Sequence, residues 1–504
     1  MSTAPEVTIR SGRLRGVQRP GSAAFLGVPF AEAPVGPRRF TAPEPVAPWE
    51  GVRPATAHGP TPQRRPFGPL TTIPEPSIPG EGTLNVDVFT PAPGDRDALL
   101  PVFVWIHGGG YFAGSPASPW YDGASFNRDG VVTVTVSYRL GLDGFGWIDG
   151  APLNRGLLDQ VAALHWVREN VREFGGDPDR VTIGGQSAGG GSVLSLLASP
   201  LASGLFRRVV SHSGATSDLS PAGAEEVGRG FAAHLGITPD LAGWRSVPEE
   251  AVLDAERAFN VVPGRPQLIG ERIDVGASLR AARAGVPVVA SMAFVPVVDG
   301  TVLPTDVESA LTSGAGHDVE LLMGTVRNEF PIPTATGVEE VVDQLVAAGV
   351  GAEGVSAYRA EVARAGERFA ASQVLVSAGF RATLVRLAAA RARAGAGRRT
   401  WLFDFAERSG ADGLAAHCHD LPYAFDLLDA EGVAAVLGEH PDQALADRVH
   451  GDWVRFVRGG GAPWASAESS VIAAQRYGEG TGFDERAYLL DAQVAGLREL
   501  SASR

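Results

Sequence analysis

A chain of 504 residues, 44% hydrophobic and 20% charged, can bury a large core and is not a disordered segment, although it is long for a single domain. Acidic residues outnumber basic ones by 57 to 43, and the net charge of −14 repels phosphate backbones and anionic membrane surfaces, so nucleic acid is not an expected partner. All the basic residues are arginine, which excludes Ser-Lys nucleophile pairs, GK[ST] phosphate loops and lysine Schiff bases; the lone Cys418 likewise excludes an intramolecular disulfide and thiolate-rich zinc sites.

Residues 1–10 lack a basic segment followed by an apolar run, so no secretory signal is expected. The longest apolar stretch, 285–298, is broken by Pro287 and Pro296 and is too short to span a bilayer. A cytoplasmic location without a membrane partner follows as an expectation. Residues 86–90, 102–106 and 131–137 are short β-type runs between Gly- and Pro-marked turns and predict buried strands. Residues 159–174 carry Val161, Leu164, Val167, Val171 and Phe174 at helical spacing, and 181–183 is again β-branched; strand, helix, strand in this order indicates a parallel sheet. The stretches 222–284 and 337–398 predict helices without strands, inserted at one rim of the sheet. Residues 263–272 and 331–336 predict loops too short to separate domains, so 1–504 is expected to form one α/β domain.

Gly185-Gln186-Ser187-Ala188-Gly189 lies between the β-run 181–183 and a helical run, 192–198. At such a turn the serine backbone is strained, its hydroxyl projects above the sheet, and flanking glycines allow close helix–strand packing. The following helix points its positive end at the same place. Upstream, His107-Gly108-Gly109-Gly110 follows the apolar run 102–106, and such a loop offers backbone N–H groups to a tetrahedral intermediate. With lysine and paired cysteine absent, nucleophilic catalysis has to use serine, histidine and a carboxylate.

With these residues in place the sequence resembles the type-B carboxylesterase/lipase family. The resemblance runs nearly from end to end, through Phe25-Leu26-Gly27-Val28-Pro29-Phe30-Ala31, Asn154-Arg155-Gly156-Leu157-Leu158-Asp159-Gln160 and Phe294-Val295-Pro296-Val297-Val298-Asp299-Gly300. It implies an α/β-hydrolase fold, a mostly parallel sheet flanked by helices. The family's G-T-x-x-D-E-G segment corresponds to Gly324-Thr325-Val326-Arg327-Asn328-Glu329-Phe330, which makes Glu329 the acid, with Asn328 and Phe330 departing from the pattern. The base precedes a D/E-L-P-Y/F-x-F segment by three residues, which selects His417 before Asp420, with His419 as fallback. His440 and His450 read as surface residues in helical, polar contexts.

The resemblance further implies that Gly109, Gly110 and Ala188 supply oxyanion N–H groups, and that Ser213 supports the acid by a hydrogen bond unless it is a plain turn serine. It implies an Arg39–Glu81 ion pair. Gln186 stands where the family carries glutamate, so one negative charge near the base is missing and a cationic choline-type alcohol loses an attraction. Thr83 replaces a family cysteine, which fits a reducing compartment. Tyr111, Phe112 and Phe145 are pocket-lining or core residues. The expected activity is hydrolysis of small uncharged carboxylic esters by a Ser187–His417–Glu329 triad, without metal or organic cofactor. The alternatives are a lipase acting on longer chains, for which no clear amphipathic lid stands out, and a non-catalytic adhesion-type relative, against which the intact triad argues. Monomer and homodimer both remain open.

Overall fold

The computed structural model describes residues 4–65, 73–259, 273–283 and 292–497. Among these residues the centre is an eleven-stranded sheet. In chain order the strands are β1 (Val17–Arg19), β2 (Ser22–Pro29), β3 (Asn85–Thr90), β4 (Leu100–Ile106), β5 (Val132–Val136) and β6 (Gly176–Gln186). Then follow β7 (Arg208–His212), β8 (Glu320–Val326), β9 (Thr400–Ala406), β10 (Ala474–Gly478) and β11 (Gly482–Asp484). Their spatial order is β11-β10-β9-β8-β7-β6-β4-β5-β3-β2-β1.

From β5 to β10 neighbouring strands are parallel, as the strand–helix–strand pattern predicts. The expected strand at 86–90 is present, but β3 runs antiparallel to β5 and β2, and β11 is antiparallel to β10. The sheet is therefore mixed at its edges: short turns join the antiparallel pairs β1–β2 and β10–β11, while β3 reaches its antiparallel neighbours β2 and β5 through long connections, and the parallel centre needs helical crossovers. β4 is buried on both faces, which is why it reads as a continuous apolar run. Val102, Val104 and Ile106 face one core, and Phe103 and Trp105 face the other, with the alternation a strand imposes.

Helices cover both faces. The predicted helix at 159–174 is α1 (Arg155–Asn170), whose last turn tightens into a 3-10 segment, Val171–Phe174. It buries Leu157, Val161, Leu164 and Val167. The segment after the serine turn is α2 (Ala188–Ala198), buried along its whole length.

The two helix-rich stretches contain, among the described residues, α3 (Pro221–His234), α4 (Glu249–Phe259), α5 (Val275–Arg283), α6 (Val338–Ala347), α7 (Ala352–Ala365), α8 (Ala370–Val376) and α9 (Ala382–Arg393). The predicted loop at 263–272 lies outside the described residues, and 331–336 forms neither helix nor strand. The second stretch is not wholly at the rim. Val341, Leu345, Tyr358 and Val374 of α6, α7 and α8 form a cluster of their own, but Leu384, Val385, Leu387 and Ala388 of α9 join the main core. On the opposite face α10 (Gln443–Val457) packs Trp453 and Phe456 against Phe103 and Phe403. No helix of the described residues is long and apolar enough to cross a membrane.

Candidate active site

The first site residues lie at the carboxyl end of β6, in the middle of the sheet. β6 ends at Gln186 and α2 starts at Ala188, so Ser187 alone makes the turn, with φ 57 and ψ −121. A positive φ at a non-glycine residue is strained and persists only when its surroundings hold it. Here the Ser187 N–H donates to the His212 carbonyl at 2.9 Å, and the Ser187 carbonyl accepts the Gly191 N–H at 2.8 Å. A Cβ at Gly185 would overlap the Gly189 carbonyl, and one at Gly189 would overlap the carbonyl of Ile106 on β4. The flanking glycines thus let α2 sit directly on the strands.

The glycine loop after β4 lies against this turn: a Cβ at Gly108 would stand 2.6 Å from the Gln186 carbonyl and 3.1 Å from the Ser187 Cβ. Gly109 and Gly110 adopt φ 112 and 62, and the Gly109 carbonyl accepts N–H groups of Phe112 and Ala113, closing the loop. Ala188 is in the first turn of α2, where backbone N–H groups have no intrahelical acceptor. Gly108, which precedes Gly109 and Gly110 in the loop, and Ala188 thus border the serine. Burial pushes the His107 imidazole down to about 4, so it is neutral; it stacks on Tyr138, whose hydroxyl donates to the His107 carbonyl at 2.8 Å.

Glu329 and His417 follow β8 and β9. His417 Nδ1 is hydrogen-bonded to Glu329 Oε2, and the His417 backbone N–H donates to the Glu329 carbonyl at 2.7 Å. Glu329 Oε1 accepts the Val326 N–H at 3.2 Å. The carboxylate at Nδ1 fixes the proton there, so Nε2 carries the lone pair. That lone pair lies 2.9 Å from Nε2 of Gln186, the residue before the serine. The structure thus brings together Gln186, Glu329 and His417, with Ser187 following Gln186 in the chain.

The departures from the family pattern have structural counterparts. Asn328 makes two bonds to the Ala415 backbone: its N–H donates to the Ala415 carbonyl, and its side-chain Oδ1 accepts the Ala415 N–H. These two bonds tie the acid loop to the histidine loop; its amide also donates to Glu361 of α7 and Gln373 of α8, which an aspartate cannot do. Next to it Arg327 binds Asp404. Burial raises the Asp404 carboxyl, but the guanidiniums of Arg327, Arg381 and Arg476 override it and hold the group well below its ordinary value.

Several expectations are corrected. The Ser213 hydroxyl is buried and finds no hydrogen-bond partner among the described residues; the Val326 N–H holds the acid instead. Arg39 pairs with Asp143 at 3.1 Å, while Glu81 is exposed. His450 is buried, bonded to the Ala424 carbonyl and to Asp129, because its face of α10 packs on Phe126. His440 is exposed as expected but lies outside a helix. His419 Nδ1 accepts the Ala416 N–H, a bond spent within its own loop. Tyr111 and Phe145 are buried with rings 4.8 Å apart and belong to the core, whereas Phe112 is half-buried.

Sequence reasoning missed a second buried pair beneath the site. His212 Nδ1 meets Asp420 Oδ2 at 2.6 Å, and His212 Nε2 accepts the Trp453 indole N–H at 2.8 Å. The His212 carbonyl is the one that holds Ser187, so this pair links the histidine loop to the serine turn. Its signal was present, since Asp420 heads the D-L-P-Y segment that located His417.

The serine turn, at the carboxyl edge of a mostly parallel sheet flanked by helices, is the nucleophile elbow of the α/β-hydrolase fold. The chain belongs to the carboxylesterase family, whose model matches residues 3–471. It is 33% identical over 472 residues to the para-nitrobenzyl esterase of Bacillus subtilis, covering 90% of each chain. A solved para-nitrobenzyl esterase superimposes with a TM-score of 0.80 at 28% identity, over 98% of this chain and 99% of that one. A Geobacillus stearothermophilus carboxylesterase superimposes with a TM-score of 0.78 at 31% identity, over 97% and 99%. The protein is a serine carboxylesterase, a carboxylic ester hydrolase.

Proposed function

We propose that Ser187, His417 and Glu329 hydrolyse small, uncharged carboxylic esters through an acyl-enzyme. The observation that carries this reading is the chain of contacts from Glu329 through both imidazole nitrogens to the residue beside Ser187. The Ser187 hydroxyl attacks the ester carbonyl carbon while its proton passes to His417 Nε2, taking the place of the Gln186 amide N–H at that lone pair. Glu329 stabilises the imidazolium. The N–H groups of Gly109, Gly110 and Ala188 receive the oxyanion, each such donor contributing roughly 3 kcal/mol to the transition state. The intermediate collapses, the C–O bond breaks, and the imidazolium proton goes to the departing alcohol. Water then gives a proton to the same nitrogen and attacks the acyl carbon; the bond to Ser187 Oγ breaks, the imidazolium proton passes to Oγ, and the acid is released.

The neutral amide of Gln186 supports the preference for uncharged alcohols, because no carboxylate from that position attracts a cationic one. The test is hydrolysis of p-nitrophenyl acetate by the wild type and by Ser187→Ala. The variant is expected to fold normally and to lose activity by about a thousandfold or more, since only one small oxygen is removed. An unimpaired Ser187→Ala variant would overturn the assignment.

A further inference from the structure

His417 is gripped on its ring face as well as at its nitrogens. The Phe330 ring centroid lies 4.3 Å from that of the imidazole, with the planes 32° apart. Phe380 lies 5.5 Å from the imidazole and 5.6 Å from Phe330, so the three rings close a triangle. Phe330 directly follows the acid, so one stretch of backbone delivers the carboxylate to Nδ1, the carbonyl to the His417 N–H, and the ring to the imidazole face. Phe380 sits on a π-helical turn, Ser377–Arg381, between α8 and α9. A π turn inserts an extra residue and re-aims the side chains that follow. This one is pinned at both ends, Ser377 to Asp491 at 2.6 Å and Arg381 to Asp404 at 2.9 Å.

Two departures in the sequence then bear on the same atom group. Gln186 leaves the base without the carboxylate that the family pattern has beside the nucleophile, and Phe330 supplies a ring where that pattern has glycine. An aromatic face is the negative end of a quadrupole and attracts a cation within about 6 Å of its centroid. Among the described residues, Glu329 is the one charged side chain hydrogen-bonded to the imidazole. Asp420, three residues on, is committed to His212, and Arg381 is committed to Asp404 and Asp491.

We infer that Phe330, backed by Phe380, is a positioning residue for the esterase reaction: its ring face fixes the His417 imidazole and stabilises the imidazolium formed in each half of the cycle. The inference rests on the triad proposed above. No bond to substrate is involved, so the effect falls on rate constants and not on binding.

The experiment measures p-nitrophenyl acetate turnover by the full-length wild type, Phe330→Leu, Phe330→Tyr, Phe380→Leu and Ser187→Ala, resolving the pre-steady-state burst from the steady state. Phe330→Leu is expected to slow both phases by about threefold to thirtyfold, the range of a ring-face contact to a cation. Phe330→Tyr keeps the ring and is expected to stay within about twofold of wild type, and Phe380→Leu to fall between. Phe330→Leu within twofold of wild type in both phases overturns the inference, as does Phe330→Tyr being as slow as Phe330→Leu. Should Phe330→Leu not melt cooperatively, Phe330→Met carries the same comparison. An inactive Ser187→Ala beside an unimpaired Phe330→Leu sinks only the clamp, whereas an active Ser187→Ala sinks the triad itself.

Discussion

Glu256 on α4 is a buried carboxyl whose ionisation works against the fold. Its Oε1 accepts the Leu142 N–H at 2.6 Å, and both oxygens lie against Gly141, where a Cβ would come within 2.5–2.6 Å of them. Gly141 in turn donates its N–H to the carbonyl of Tyr111, the residue after the oxyanion loop. Burial pushes the Glu256 carboxyl up to about 8; the Leu142 N–H opposes this, and Asp143 nearby adds to it. In the unfolded chain the group titrates near 4.5. A carboxyl raised on folding contributes stability that is fully present below the unfolded value and lost as pH rises through the folded one. Between pH 5 and 8.5 the linkage relation makes that loss about 4 kcal/mol, reduced to roughly 2–4 kcal/mol if the site relaxes around the charge. Glu256→Gln cannot ionise but keeps the oxygen that accepts from Leu142. Its amide costs about 1 kcal/mol where it lacks an acceptor, at every pH. The variant is therefore expected to equal or fall slightly below wild type at pH 5 and to exceed it at pH 8.5. Urea unfolding followed by tryptophan fluorescence at the two pH values measures the difference. A gap between variant and wild type that is the same at both pH values refutes the reasoning, and so does one that changes in the opposite sense.

His417→Ala is expected to reduce kcat by about three orders of magnitude or more, and His419→Ala to stay within about tenfold of wild type, because only His417 bonds both Glu329 and Gln186. Parallel assays with p-nitrophenyl acetate distinguish them; the reverse ranking would move the base to His419. Gln186→Glu is expected to raise the ratio of kcat/KM for butyrylcholine over its neutral isostere, since a carboxylate about 4 Å from a quaternary ammonium attracts it by roughly 1–4 kcal/mol. A ratio unchanged by the substitution would show that Gln186 does not set alcohol preference.

Much of the site was legible because its parts are local. The serine turn needs only a β-branched run, two flanking glycines and an apolar helix, all within 181–198, and the structure has Ser187 at φ 57 between β6 and α2. The glycine loop at 107–110 was legible for the same reason. Glu329 and His417 carry no such local signal; each was found by its spacing to neighbours in a family segment. What that spacing could not show was how their neighbours are used. Asn328 and Phe330 looked like losses from the pattern, yet one joins the two catalytic loops and the other covers the imidazole. His450 read as a surface residue because its sequence neighbours are polar, although its face of α10 turned out to lie against Phe126.

The sequence by itself determined the elements and the turns that hold the serine and the oxyanion donors, because backbone conformation at glycines and β-branched runs is decided within a few residues. Only the tertiary structure decided the partners. Gln186 meets a histidine 231 positions away, Trp453 meets His212 across 241, and Arg39 selects Asp143 over Glu81. Such pairings depend on which strand ends lie side by side in the sheet. That order is set by the burial of both its faces under helices drawn from the whole chain, and no window of residues contains it.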